Sequence, residues 1–346
     1  MIVWGSRWRV RPRFFVFLAL IIGLGASLFM ASRSSRNHSP IALSSKKPAQ
    51  SLIVRCHTIP SAFSLPQPLG NLQTLSVDNT LIAAGIISRH QPVQGLSVSI
   101  TPQGLVQGPS PALLPGGSLI LAQSMSWWSG GVKGKTVQRS ALNLESNRSY
   151  TNFLPAPLSH SAITLSSSGT NLFLLGGASQ KGVSHRIYEM RESSGSFHLW
   201  GSLPKAVESP AAASGKGFLV VAGGVLPQGG FNSDIWIYRL SSHHLLTTLH
   251  LPYGIAGSRI VYTQHHFWLL GGEKSPGHLL SSIWLITPSR LRKTPVHLPV
   301  PLAHFGAGVL NHKIWIVGGT TNHGPTAIIR TLVLNIATYS QRRHAK

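Results

Sequence analysis

The stretch Phe267–Gly272 reads FWLLGG, an apolar run that ends in two glycines. The same pattern occurs three more times, as LFLLGG at 172–177, FLVVAGG at 218–224 and IWIVGG at 314–319. The first glycines of the four copies are therefore 47, 48 and 47 residues apart. A period of this size, with β-rich runs inside each copy, is typical of a β-propeller built from four-stranded blades.

Each copy continues with a second β-rich run that carries aromatic residues, namely Tyr188, Trp236, Tyr238 and Trp284. This order resembles the kelch repeat, in which a glycine doublet closes the second strand of a blade and spaced aromatics pack between blades. The segment NSDIWIY at 232–238 carries the resemblance best. Because glycine has no Cβ, a doublet lets the chain turn and lets neighbouring sheets approach closely. The resemblance implies equivalent structural roles for Gly176, Gly177, Gly223, Gly224, Gly271, Gly272, Gly318 and Gly319.

Two weaker copies precede these four. The first is LIAAG at 81–85, with Ala84 in place of a glycine, and the second is SLILAQ at 118–123, with Ala122 at the doublet position. The resulting steps of 38 and 54 residues are uneven, so we interpret WWSGG at 127–131 as part of an insertion in the second blade.

The predicted fold is thus an all-β, kelch-type propeller of six four-stranded blades over residues 52–340. A seventh blade within residues 52–75 is the alternative. An N-terminal strand from 52–63 is expected to complete the final blade, which removes the free sheet edges.

The N-terminal region predicts a membrane anchor. Residues 1–13 hold four arginines and no acid, and residues 14–31 form an uncharged apolar run. That run is long enough for a transmembrane helix, and the preceding arginines place the N-terminus in the cytoplasm. Residues 32–51 are predicted to be a flexible linker and residues 341–346 a short tail. We therefore expect a single-pass protein of the cell membrane with an extracytoplasmic propeller. The alternative is a signal peptide cleaved after Ala31.

The charge balance is strongly basic, with 30 Lys and Arg residues against seven Asp and Glu residues. The basic residues are scattered rather than clustered, so the pattern does not favour nucleic acid as a partner. Two interpretations remain open: binding to an anionic cell-surface polymer or lipid headgroups, and adaptation to acidic surroundings. The single cysteine, Cys56, excludes an intrachain disulfide framework.

Motifs for catalysis or metal binding are sparse. No two of the seven acids share a motif that indicates a general acid and base. Glu189 and Glu192 are predicted to lie in a solvated turn, and Asp234 to stabilise a turn by hydrogen bonds. His243-His244 and His265-His266 are adjacent pairs, which cannot chelate from one strand because neighbouring residues point to opposite faces. We therefore predict no cofactor and no metal site. A copper site like that of galactose oxidase is also disfavoured, because it would need a tyrosine cross-linked to a cysteine and Cys56 is expected to lie outside the blade cores.

One loop suggests an activity. The segment GEKSPGHL at 272–279 resembles a loop of bacterial sialic-acid mutarotases, which are kelch propellers with a functional glutamate and a nearby arginine. The resemblance makes Glu273 a candidate catalytic residue. Leu279 stands at the arginine position, and Lys274 is the candidate replacement. Our main prediction is a non-catalytic binding or scaffold module for an anionic polymer or a protein partner. The alternative is a mutarotase-like enzyme that uses Glu273.

Overall fold

The computed structural model describes residues 51–87, 94–166 and 168–339. The predicted basic segment, membrane-spanning helix and tail, with residues 32–50 of the linker, lie outside these ranges. Among the described residues no helix is long and apolar enough to span a membrane. The described chain is all-β and forms six four-stranded antiparallel sheets, the blades of a propeller.

Each blade runs from an inner strand beside the central channel to an outer strand at the surface. The chain begins with β1 (Ser51–Pro60). The next strands form blade 1, which contains β2 (Gln73–Val77), β3 (Thr80–Ile86), β4 (Gly95–Thr101) and β5 (Gly104–Gln107). Blade 2 contains β6 (Gly117–Ala122), β7 (Met125–Gly130), the small hairpin β8 (Val132–Lys133) and β9 (Thr136–Val137), then β10 (Ala141–Asn143) and β11 (Ser149–Tyr150). Blade 3 contains β12 (Ala162–Leu165), β13 (Asn171–Leu175), the hairpin β14 (Ala178–Ser179) and β15 (Gly182–Val183), then β16 (Arg186–Arg191) and β17 (Phe197–Ser202).

The second half of the chain repeats this plan. Blade 4 contains β18 (Ala211–Gly215), β19 (Phe218–Ala222), β20 (Asp234–Arg239) and β21 (His244–His250). Blade 5 contains β22 (Arg259–Thr263), β23 (His266–Leu270), β24 (Ser282–Thr287) and β25 (Arg290–His297). Blade 6 contains β26 (Gly306–Leu310), β27 (Lys313–Val317), the hairpin β28 (Thr320–Thr321) and β29 (Gly324–Pro325), then β30 (Ile329–Tyr339).

The N-terminal strand closes the propeller. β1 pairs with β30 from Ser51↔Tyr339 to Pro60↔Arg330 and so supplies the outer strand of blade 6. This confirms the predicted pairing of an N-terminal strand with the final blade. The alternative of a seventh blade is wrong, because residues 52–75 are divided between β1, the loop that follows it and the start of β2.

The glycine doublets lie at a close contact between neighbouring blades, and this contact explains why both residues are glycine. In five blades the N–H of the second glycine donates to a carbonyl in the loop that leads into the next blade. The five bonds are Gly131 to Leu158 at 2.9 Å, Gly177 to Val207 at 2.9 Å, Gly224 to Ile255 at 2.9 Å, Gly272 to Leu302 at 2.8 Å and Gly319 to Leu69 at 2.7 Å. A Cβ on the first glycine of each pair would overlap or crowd that same carbonyl oxygen. Both glycines also have positive φ, which side chains disfavour.

The predicted register of blade 2 is wrong. The segment SLILA at 118–122 forms most of the inner strand β6, not the second strand. The doublet of this blade is Gly130-Gly131: Gly130 is the last residue of β7, and Gly131 follows it. The segment at 127–131 is therefore not an insertion: its two tryptophans are core residues of the second strand.

The register of blade 1 also differs, by one residue. Because Gln73 pairs with Ala84, the doublet positions are Gly85 and Ile86 rather than Ala84 and Gly85. β3 stays paired with β4 as far as Ile86, so the chain does not need a second glycine here. The first doublet positions are then 85, 130, 176, 223, 271 and 318, with even steps of 45 to 48 residues.

The hydrophobic core lies between neighbouring blades, and the four repeat aromatics are part of it. Tyr188 belongs to a cluster shared by blades 2 and 3, Trp236 and Tyr238 to one shared by blades 3 and 4, and Trp284 to one shared by blades 4 and 5. The Tyr238 hydroxyl donates to the Ser202 carbonyl at 2.8 Å. Burial raises the pKa of Tyr238. Apolar packing thus joins the blades, in addition to the hydrogen bonds at the glycine doublets.

Candidate functional site

The inner strands of all six blades surround a central cavity of about 890 Å³. Such a volume lies within the range of small-molecule pockets, about 300–1,000 Å³. Serine and threonine side chains and backbone line much of it, together with Arg259, His160 and His304. Among the described residues that line it there is no carboxylate. The cavity therefore combines polar and apolar lining residues, and its charge bias is positive.

One residue per blade, one or two positions before the inner strand, forms the mouth of the channel. These mouth residues have φ between 48° and 72° and are Asn71, Gly116, His160, Ser209, Gly257 and His304. Neighbouring loops are linked there by backbone bonds, as from His160 N to Gly116 O at 2.6 Å and from His304 N to Gly257 O at 2.8 Å. The imidazoles of His160 and His304 lie over Gly116 and Gly257, where an added Cβ would come within 3 Å of each ring. The two histidines belong to blades 3 and 6, which are opposite in a six-blade ring.

Several channel hydroxyls hold the blades together. Thr74 bonds both the carbonyl and the N–H of Ala307, at 2.8 and 3.0 Å, and Ser76 accepts from the Val309 N–H at 3.0 Å. Ser118 donates to Ser161 O at 3.2 Å, and Ser214 donates to Leu165 O. These bonds replace the backbone ladder that neighbouring inner strands lack, so these side chains have a structural use.

Arg259 is the charged side chain that the fold places in the channel. It is the first residue of β22 and donates from one terminal nitrogen to Leu72 O at 2.6 Å and from the other to Ser258 O at 3.1 Å. It forms no ion pair with any described carboxylate. Burial lowers the pKa of Arg259 to about 10, because desolvation disfavours its charged form.

The surroundings of Arg259 are asymmetric. The six inner-strand residues that pair with the residue before the doublet position are Gln73, Ser118, Ala162, Ala211, Arg259 and Gly306. Arg259 is the one charged residue of this set, and its neighbours in blades 4 and 6 are alanine and glycine. On the blade 6 side the Thr74 side chain fills the space that a larger residue would take, since a Cβ on Gly306 would lie 2.3 Å from Thr74 Cγ2.

Glu273 lies at the edge of the channel region. It follows the doublet of blade 5 and forms backbone bridges with Ala256 and Leu279. Its Oε1 lies 3.1 Å from His304 Nε2, and its Oε2 accepts from the Gly277 N–H at 3.0 Å. Glu273 is not among the cavity-lining residues, and the exposed Lys274 is not either. The structure thus connects Glu273 to the channel through His304.

The other predicted acidic positions have structural contacts. Asp234 is buried and bonds Lys205 Nζ at 2.8 Å and His250 Nδ1 at 2.9 Å. The prediction of a solvated turn is wrong for Glu189, which lies in β16. Its carboxylate accepts a hydrogen bond from the Asn171 side-chain amide at 2.6 Å and lies 3.0 Å from His198 Nε2. Glu192 accepts from the Ser124 N–H and so links blade 3 to blade 2.

The adjacent histidine pairs occupy turns and strand starts. His243 and His265 have positive φ, and the His243 ring stacks on Trp200 with centroids 4.8 Å apart. The part of the chain that the structure describes holds no group of three or more His, Cys, Asp or Glu side chains that could bind a metal ion.

The comparisons with known proteins support the fold. The chain is similar to the solved structure titled "Structure of YjhT", with a TM-score of 0.57 and 12% sequence identity. The match covers 80% of this chain and 99% of that one. The sequence matches no protein-family model and no curated protein. The similarity therefore shows the fold alone.

Proposed function

We propose that the protein is a membrane-anchored, extracytoplasmic propeller that binds an anionic ligand and does not catalyse a reaction. The observation that carries this proposal is the channel of about 890 Å³, whose described lining includes Arg259 and no carboxylate. Hydrolytic and epimerising reactions need an acid or base positioned at the substrate. A cavity whose lining carries positive and no negative charge instead favours the binding of an anionic ligand.

The contacts of the acids agree with a binding role. Three of the seven carboxylates pair with histidine, at Glu189, Asp234 and Glu273. The 30 lysines and arginines far outnumber the seven acids, so the surface potential is positive and attracts polyanions at long range. The membrane anchor remains a prediction from residues 14–31, and an extracytoplasmic position would present the channel to cell-surface polymers.

Binding of an acidic polysaccharide tests the proposal. The full-length chain in mild detergent would be titrated with polygalacturonate at ~20 to ~300 mM salt, with dextran as the uncharged control. We expect binding of polygalacturonate that weakens as salt screens the charges, and no binding of dextran. Glu273→Gln should bind like the wild type. Absence of polygalacturonate binding at low salt, or equal binding of dextran, would refute the proposal.

One observation favours a second function. The 3.1 Å contact between Glu273 and the channel residue His304 is an arrangement that acid–base chemistry uses. In this alternative, Glu273 would act on a sugar acid held in the channel, as the sequence resemblance to sialic-acid mutarotases implies.

Sialic-acid anomer exchange followed by NMR distinguishes the two functions. The binding proposal predicts the uncatalysed exchange rate for both the wild type and Glu273→Gln. Faster exchange with the wild type that disappears in Glu273→Gln would establish the enzyme instead.

A further inference from the structure

We propose that the channel mouth contains a site for a single oxyanion group, a carboxylate or a phosphate, held by Arg259 beside Asn71 and Gln73. This inference rests on the proposed function and deepens it: the ligand enters end-on, as a small acid or the terminal residue of a polymer. A long internal segment of polymer lying on the outer surface would not need this site.

The unused donors of Arg259 are the first argument. A guanidinium has five N–H donors in a fixed planar fork, and it has no acceptor. The Arg259 side chain gives two bonds, to the carbonyls of Leu72 and Ser258. Three donors are left without an acceptor among the described residues. That number suffices for a bidentate pair with one carboxylate or phosphate.

The absence of a counter-charge is the second argument. Removing a charge from water is costly unless an opposite charge compensates it. The described lining of the cavity supplies no carboxylate, and the four ion pairs of the described chain do not include Arg259. The low pKa of Arg259 has the same origin, since desolvation is its cause. A bound anion would supply the missing charge.

The neighbouring side chains are the third argument. Leu72, whose carbonyl holds the guanidinium, is flanked by Asn71 and Gln73, and both line the cavity. The side-chain amides of Asn71 and Gln73 have no hydrogen-bond partner among the described residues, unlike the channel hydroxyls that join blades. Each amide has N–H donors suited to an anion's oxygen.

A structural role is the competing explanation for Arg259. Its hydrogen bond to Leu72 O joins blade 5 to blade 1 across blade 6. On this explanation, the sole role of Arg259 is to stabilise the closed ring of blades. In that case the removal of the charge would change stability and leave ligand binding unchanged. The two explanations therefore differ in one measurable quantity, the affinity for a small acid.

The test uses small probes and the full-length chain. Titration calorimetry at low salt would measure binding of glucuronate, glucose 6-phosphate and glucose to the wild type, Arg259→Gln, Arg259→Lys and Gln73→Ala. The matched control is Arg290→Gln, which removes the same charge from an exposed position in the same blade. Thermal unfolding of each variant would show that it folds.

We expect the wild type to bind one or both acids and not glucose. Arg259→Gln should weaken binding by about tenfold or more, the usual loss for a hydrogen bond to a charged group. Gln73→Ala should weaken it by about two- to tenfold, and Arg290→Gln should have no effect. Arg259→Lys should retain more affinity for the phosphate than for the carboxylate, because lysine lacks the planar fork.

Two results would overturn the site. One is equal affinity of the wild type, Arg259→Gln and Gln73→Ala for the acids. The other is an absence of small-acid binding by a wild type that still binds polygalacturonate, which would place polymer binding on the outer surface and leave the proposed function intact. If Arg259→Gln does not fold, Gln73→Ala and Arg259→Lys decide the question.

Discussion

Alanine at Gly130 should destabilise the protein much more than alanine at Gly134. Both glycines belong to blade 2 and have similar left-handed conformations, with φ of 68° and 60°. A left-handed conformation costs a residue with a Cβ about 1–2 kcal/mol, and this cost is common to the two variants. A Cβ at Gly134 would have nothing within 4 Å, whereas one at Gly130 would overlap the Leu158 carbonyl oxygen and lie 2.9 Å from Leu154 Cδ1. The Leu158 carbonyl cannot move freely, because it also accepts from Gly131 N at 2.9 Å.

The extra cost at Gly130 is that of overpacking a rigid contact, about 1–3 kcal/mol. Gly130→Ala should therefore lose about 2–5 kcal/mol in total and Gly134→Ala about 1–2 kcal/mol. Urea unfolding of the full-length chain, followed by tryptophan fluorescence, would measure both losses. If the two variants lose the same stability within about 0.5 kcal/mol, the doublet is not a close contact between blades, and our assignment of Gly130-Gly131 as the doublet of blade 2 is wrong.

Four further predictions concern closure, pH and topology. Val54→Asp should abolish or severely destabilise the folded state, because Val54 is only 4% exposed in the core between blades 5 and 6; the exposed neighbour variant His57→Asp should melt like the wild type. Burial raises the pKa of Tyr238, so its stabilising contribution is complete below the unfolded pKa of about 10 and is lost as pH rises above it. Tyr238→Phe should accordingly show a shallower loss of melting temperature above pH 10, and an unchanged pH dependence would contradict the shift. The seven carboxylates leave little to lose on acidification, so circular dichroism should show the β-structure retained near pH 3; collapse between pH 6 and 4 would remove acid adaptation as an explanation of the charge. A reporter active only outside the cytoplasm, fused after residue 50, should give signal, and carbonate washing should leave the protein in the membrane; a released product that starts near Ser32 would indicate a cleaved signal peptide instead.

The sequence was sufficient to predict the fold because its most regular feature is also a physical requirement. Each doublet at 176, 223, 271 and 318 marks a place where a loop carbonyl of the next blade approaches the backbone. The sequence pattern gives the wrong register in blade 2, because its doublet follows MSWWS instead of an aliphatic run. The aliphatic run that resembles the other repeats lies in the inner strand β6. Counting back one period from Gly176 would have found Gly130, since that step is 46 residues.

The channel was harder to predict for a different reason. Arg259 stands in the unremarkable segment GSRIVY, and its neighbours Asn71 and Gln73 are almost 190 residues away in the chain. Arg259 is unusual because no carboxylate among the described residues pairs with it. This property depends on the folded structure, so no local sequence pattern indicates it. His160 and His304 left a weak signal, because each stands two residues before an inner strand at the position that other blades fill with Asn, Ser or Gly. Glu273 was found through a resemblance, yet its contact with His304 crosses from blade 5 to the loop of blade 6.

The central claim is that ligand binds in the channel of the propeller. A crystal structure of the full-length chain with bound glucuronate, or with a short galacturonate oligomer, tests it most directly. We predict density for the carboxylate at the channel mouth, within hydrogen-bond distance of the Arg259 guanidinium. Density on the outer strands alone, with an empty channel, would contradict the claim.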